Sequence, residues 1–264
     1  MGLTLAVLLQ FDPARGAGRI GNSDSKLPIQ AAVCDRCVRC VVRGDSDSRA
    51  DRNLDGGIND VQATTIVDPM ESLDSLDDSI TQHCYREMLT LLKCVASKFE
   101  NSQCKIVVTG YFPIFGQLTW EADINRMLGT IAKLLGRDYE VTKGHRESLN
   151  LWKSDPVERS EHFWRNSTAA LKRAIRECGD SRVLFVDSGI LPDNALFAPD
   201  EKQMLWDLNL DFTPKDPMRT VRKPLCDLYE PHDFVFCPRA SFGHPNQKGA
   251  ASYVLRIKAA LGLP

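Results

Sequence analysis

A histidine followed by proline and asparagine, His244-Pro245-Asn246, stands just ahead of a strongly helical run near the C-terminal end. Apolar residues recur at Ala250, Tyr253, Val254, Ile257 and Leu261, the spacing of one packed helix face. Proline confines the residue before it to an extended conformation, and Asn246 is a helix-start residue. The pattern predicts an imidazole held on a short, stiff loop at the mouth of a packed helix. Imidazole titrates near neutral pH and can take a proton as a general base. An isolated His-Pro-Asn fits a surface histidine beside a helix cap equally well. Far upstream, Leu54-Asp55-Gly56-Gly57-Ile58-Asn59-Asp60-Val61 supplies glycines that let a backbone come close to a ligand. Its Asn59 carries an amide able to donate to a developing oxyanion. Taken alone, Gly56-Gly57 also reads as a turn after a strand. Gly44-Asp45-Ser46, preceded by Val41-Val42, offers a hydroxyl. Nucleophile, base and oxyanion donor are the parts that ester hydrolysis needs.

Together these blocks resemble the SGNH, or GDSL-type, hydrolases. In that family a Gly-x-Asn-Asp block supplies an oxyanion-hole asparagine, and a late His-Pro-Asn-x-x-Gly block supplies the base. Gly57-Ile58-Asn59-Asp60 and His244-Pro245-Asn246 follow that order, and Ile106 to Pro113 is similar to the family's central strand and the turn after it. The resemblance runs from about Leu54 to the C-terminus. It implies a three-layer α/β/α fold with a mostly parallel central sheet. It implies an esterase- or lipase-type hydrolase acting through an acyl-serine, with His244 as base, Asn59 as oxyanion donor and Ser46 as the candidate nucleophile. No metal or organic cofactor is needed for this chemistry. Lipid, acetylated sugar and small aryl esters are all compatible with it.

The chain departs from the family in three places. Where the family orients its histidine with an aspartate three residues earlier, this chain has Ser241. Serine can hydrogen-bond the ring but cannot stabilise imidazolium by charge. The expectation is a dyad, or an acid such as Asp233 brought in from the long loop. Too few residues lie between Ser46 and Asn59 for the helix, strand and glycine block that should separate them. Ala14-Arg15-Gly16-Ala17-Gly18 resembles that glycine block but precedes the serine, which is the wrong order. The strand expected to lead into Gly56 is polar, at Asp51-Arg52-Asn53-Leu54. Three readings follow. The family's first strand and its serine are missing; the chain is a truncated or non-catalytic relative that keeps a ligand pocket without turnover; or Ser46 is recruited by an unusual N-terminal arrangement.

The elements that must position these residues are legible from Leu54 onward. Ile80, Cys84, Met88, Leu91, Leu92, Val95 and Phe99 mark one helix face, and Lys105 to Thr109 reads as a buried parallel strand. Ile124, Leu128, Ile131, Leu134 and Leu135 mark a second helix, stopped by Gly136. Residues 137–158 read as loop. Phe163, Trp164, Ser167, Leu171, Ala174, Ile175 and Cys178 mark a third helix, and Arg182 to Asp187 a second buried strand. A Pro- and Asp-rich loop of 188–240 then leads to the C-terminal helix. Strands alternating with helices imply βαβ units, with functional loops at the carboxyl ends of the strands.

Residues 1–53 read as a poorly defined N-terminal segment, and 54–264 as the α/β domain. The chain of 264 residues can bury a sizeable core, with 43% apolar and 26% charged residues. A net charge of −2 without a basic block argues against nucleic acid. Leu3 to Leu9 is too short to span a bilayer and lacks the flanks of a signal peptide. The default expectation is a cytoplasmic protein, with secretion the alternative if a leader precedes it. Oligomeric state is not legible. Of nine cysteines, Cys34, Cys37 and Cys40 have metal-like spacing but no nearby fourth ligand. Cys226 and Cys237 could close a disulfide beside the His244 loop or remain thiols. The four tryptophans read as core or loop anchors, with Trp206 the best candidate for a pocket wall.

Overall fold

The computed structural model describes residues 8–10, 61, 63–99, 104–134, 155–209, 213–229 and 241–264. A short helix α1, Ala63–Val67, opens the main part. From Leu73 to Lys98 the chain then stays helical: α2 Leu73–Ser79, a π-helical stretch Ile80–Glu87, and α3 Met88–Lys98. Ser72 caps this rod by accepting the Ser75 N–H at 3.2 Å. Ile80, Cys84, Met88 and Leu92 are all buried. Their spacing of four keeps them on one side through the wider π turns.

The strand expected at Lys105–Thr109 is present as β2, with Ile106, Val107 and Val108 fully buried. The second expected strand is β3, Val183–Val186. The two are parallel, with Ile106 opposite Val183 and Thr109 opposite Val186. Leu8–Gln10 forms β1, which pairs antiparallel on the other edge of β2, so the sheet order is β1-β2-β3. Among the described strands one pairing is parallel and one antiparallel, where the sequence reading expects a mostly parallel sheet. The fold is mixed α/β.

Between β2 and β3 lie α4, Glu121–Leu134, and α5, Pro156–Cys178. Helix α5 begins inside the segment expected to be loop. Asp155 accepts the N–H groups of Val157 at 2.8 Å and Glu158 at 3.1 Å, and Pro156 occupies the first turn, where its missing N–H costs nothing. The helix ends at Gly179 in the left-handed conformation. Its face of Phe163, Ser167, Leu171 and Ala174 is buried as the periodicity predicts. It packs on α1, the π-helical stretch, α3 and β3. One hydrophobic cluster runs from Val61 to Leu205.

The segment after β3 is more ordered than its composition suggests. It holds a 3₁₀ turn, Pro192–Asn194, and a helix α6, Arg219–Tyr229, with Pro224 inside it. Proline is a strong breaker signal, so a helix carrying one mid-run is hidden from a periodicity search. Helix α7, Gln247–Leu261, is where expected, and Tyr253, Ile257 and Leu261 of the predicted stripe are half-buried. Ala250 and Val254 are exposed. Tyr253 packs on the core, and hydroxyls add hydrogen bonds on this side: Ser252 Oγ donates to Ser188 O at 3.1 Å, and Tyr253 OH to Gly110 O at 2.8 Å. Among the described residues no helix is long and apolar enough to cross a membrane.

Candidate functional site around His244

His244 lies just ahead of α7, on the loop that leads into it. Tyr253 and Ser252 bond to Gly110 and Ser188, the residues that follow the two strands, and so hold the start of α7 over the strands' carboxyl ends. Asn246 caps α7, its side-chain oxygen accepting Lys248 N–H at 2.9 Å and Gly249 N–H at 3.2 Å. The same side chain donates from Nδ2 to Gln203 O at 3.0 Å. Asn246 N–H donates to Met204 O at 2.8 Å, and Pro245 bridges to Leu205. The His-Pro-Asn loop is thus stitched to 203–206 along its length.

His244 itself is fixed through its backbone. Its N–H donates to Ser241 O at 2.9 Å, and its carbonyl accepts Trp206 N–H at 2.8 Å. Gly243 returns a bond to Trp206 O at 2.9 Å from a left-handed φ of 75°, a conformation natural only to glycine. The ring is half-buried, with Nδ1 3.4 Å from Phe242 O. The stiff loop expected from sequence is present, and it clamps the imidazole's Cα from both sides.

Ser241 has an acid after all. Its Oγ donates to Asp216 Oδ2 at 2.5 Å, and Arg222 Nη2 donates to Asp216 Oδ1 at 2.6 Å. Asp216 is buried, with its side chain 3% exposed. Burial alone would push its carboxyl up, but the hydrogen bonds from Arg222 and Ser241 and the nearby guanidinium charge outweigh that and hold it below the ordinary aspartate range. Asp216 and Arg222 went unremarked in the sequence, because their meeting with Ser241 depends on where α6 folds back. Asp233, the acid considered there, lies outside the described residues, as do Asn59 and Ser46. Cys226 is disulfide-bonded, and Cys237, the partner considered from sequence, lies outside the described residues. Cys34, Cys37 and Cys40 lie outside them too, and among the described residues no group of three acidic, His or Cys side chains could hold a metal.

Gly249 completes the block, and the geometry shows why. A Cβ there would stand 2.4 Å from Met204 O, the carbonyl that accepts Asn246 N–H. Helix propensity alone would make Gly249→Ala stabilising by about 1 kcal/mol. The clash with backbone reverses the sign, and we expect a net loss of about 2 kcal/mol in chemical denaturation. An unfolding midpoint at or above wild type would overturn this account of the glycine.

Beside the loop runs an open groove with two lobes. The larger, about 490 Å³, lies between the start of α4 and the 197–215 segment. The smaller, about 250 Å³, reaches Asn246 and Trp206, which is the wall expected from sequence. Asp200, Asp207 and Lys215 line both. Trp120, expected to be an anchor, is instead 68% exposed at the rim of the larger lobe. Another histidine–carboxylate pair, His162 Nε2 to Asp77 Oδ1 at 2.7 Å, joins α5 to α2 and lines neither lobe, so its part is to hold helices together. Comparisons with protein-family models, with curated proteins and with solved structures give no match to this chain.

Proposed function

We propose that this chain is an ester hydrolase of the SGNH type, with a three-layer α/β/α arrangement and a serine-histidine mechanism. The observation that supports it most is the His244 loop, clamped by its backbone bonds to Trp206 and Ser241 directly ahead of α7. Ser46 Oγ would attack the ester carbonyl while His244 takes its proton, and Asn59 would donate to the oxyanion. The protonated imidazole would then give its proton to the leaving alcohol, freeing an acyl-serine. Water, deprotonated by His244, would release the acid and restore the serine. Asp216 would act as a positioning residue, holding Ser241 and through it the turn that ends at His244.

A fluorophosphonate probe tests the whole reading, because it reacts only with an activated serine. The expected result is one adduct per chain, mapped by peptide mass spectrometry to Ser46 and lost in His244→Ala. No adduct on folded protein, together with no turnover of p-nitrophenyl acetate, would reject the hydrolase reading. The alternative would then hold, a relative that keeps a pocket without turnover.

A further inference from the structure

Phe197 has the backbone of a glycine. Its φ is 57°, in the left-handed region, and among the described residues no other side chain but glycine's has a positive φ. A bulky residue there is strained, and such strain persists only where the surroundings enforce it. Here they do so on both sides. Leu196 N–H donates to Ile114 O at 3.0 Å, Thr119 Oγ1 donates to Leu196 O at 2.8 Å, and Ala198 N–H donates to Ala195 O at 3.4 Å. Glycine would adopt this φ without strain, so the strain comes from having a ring at this position.

That ring meets the His244 turn. It packs on the Phe242 ring with centroids 6.3 Å apart and planes tilted by 43°. The left-handed φ sets the direction in which Cβ leaves the backbone, so the same ring on an ordinary backbone would point elsewhere. Phe197 also lines the larger lobe, and its ring therefore stands between the groove and the turn. Phe242 is two residues before His244, inside the turn that His244 N–H closes on Ser241 O at 2.9 Å. Its carbonyl oxygen lies 3.4 Å from His244 Nδ1. A carbonyl only accepts, so of the two neutral tautomers this contact is a hydrogen bond in the one with the proton on Nδ1. That tautomer leaves the Nε2 lone pair free to take a proton. Imidazole free in water prefers the other, with the proton on Nε2. Ser241, which stands where an orienting aspartate was expected, donates its own proton to Asp216. At 3.4 Å the bond to Phe242 O is long, and a small relaxation of the turn would lose it. The Phe197–Phe242 contact braces the turn against that.

We propose that Phe197 is a positioning residue for His244: its ring braces Phe242, whose carbonyl keeps the imidazole proton on Nδ1 and leaves Nε2 free as the base. The use of Nε2 as a base rests on the ester-hydrolase reading; the tautomer does not. The tautomer is read on the full chain, carrying isotope-labelled histidine, from the two ring nitrogens in long-range proton–nitrogen correlation spectra at a pH where the ring is neutral. His244 is one of five histidines, and His244→Gln identifies its signals. Wild type should show the Nδ1–H pattern. Phe197→Gly, which removes ring and strain together, should move the shifts toward the Nε2–H pattern of a free histidine. Phe197→Tyr keeps the ring and should give the wild-type shifts. Phe242→Leu cuts the same contact from the other side without touching the backbone at 197. It should move the shifts as Phe197→Gly does, and it decides the matter if the glycine variant does not fold. With p-nitrophenyl acetate, Phe197→Gly should lower kcat about tenfold and leave KM within about twofold. An Nε2–H pattern in wild type, or wild-type nitrogen shifts in Phe197→Gly and Phe242→Leu, would overturn the inference whatever the turnover. The expected tautomer shift without turnover in wild type would keep this inference and reject the hydrolase reading alone.

Discussion

Arg159→Met should lose about 4 kcal/mol of stability, enough to leave the chain marginal at room temperature. Arg159 is fully buried in the first turns of α5, and its guanidinium donates to four backbone carbonyls. Nε reaches Ile66 O at 3.1 Å, Nη1 reaches Glu71 O at 2.6 Å and Ser72 O at 3.0 Å, and Nη2 reaches Thr65 O at 2.7 Å. Burial pulls its pKa down, and the charges of Asp68 and Glu71 partly offset that. Methionine keeps much of the volume but offers no donor, so four carbonyls lose the guanidinium at once, although Ser72 O keeps the Ser75 hydroxyl and Thr65 O the Asp68 N–H. That differs from replacing a whole buried ion pair by apolar groups, which removes both sides and is often harmless. Arg159→Lys should recover part of the loss, since an ammonium has three donors and cannot span a fork. Urea denaturation of the three proteins measures this, and a Met variant within about 0.5 kcal/mol of wild type would sink it. The segment so held, 65–72, follows directly on the Gly-Gly-Ile-Asn-Asp block.

Arg159 also shows where sequence reading stops. The strands at Lys105–Thr109 and Val183–Val186, the face of α5 and the cap at Asn246 were all legible, because each is a local pattern of apolar spacing or capping residues. Arg159 sits between Glu158 and Ser160 and looks like part of a solvated helix face. Only the return of 65–72 makes it interior. Helix α6 was hidden by Pro224, and with it the meeting of Asp216, Arg222 and Ser241. The stripe read on α7 holds at Tyr253, Ile257 and Leu261 and fails at Ala250 and Val254. Its contacts with the sheet run through Ser252 and Tyr253 hydroxyls, which a hydrophobic pattern does not register. The groove follows the same rule. Trp120 and Gln203 are far apart in the chain, and no spacing rule joins them.

His244→Ala should lower kcat/KM for a small aryl ester about 10⁴-fold without unfolding the protein, if the hydrolase reading holds. The ring is half-buried, and the loop is held by the backbone bonds to Trp206 and Ser241, which alanine keeps. Asp216→Asn separates the parts of that site further. Neutralising the carboxylate weakens its hold on Ser241 and on the turn that ends at His244, so kcat for the same ester should fall about tenfold with little change in KM. A role for Asp216 in anchoring α6 alone would leave kcat of the folded variant unchanged. The stability effect has its own pH signature. Asp216 has a depressed folded-state pKa, so its contribution is present above the ordinary aspartate value and is lost as pH falls through the lower folded value. Asp216→Asn should therefore be clearly less stable than wild type at neutral pH, with the gap closing in strong acid. Ser241→Ala, which cuts the link while leaving the Asp216–Arg222 pair, should lower kcat about tenfold with little change in KM. Equal kcat for wild type, Asp216→Asn and Ser241→Ala would mean that the buried carboxylate only anchors α6, and that His244 works without an acid behind it.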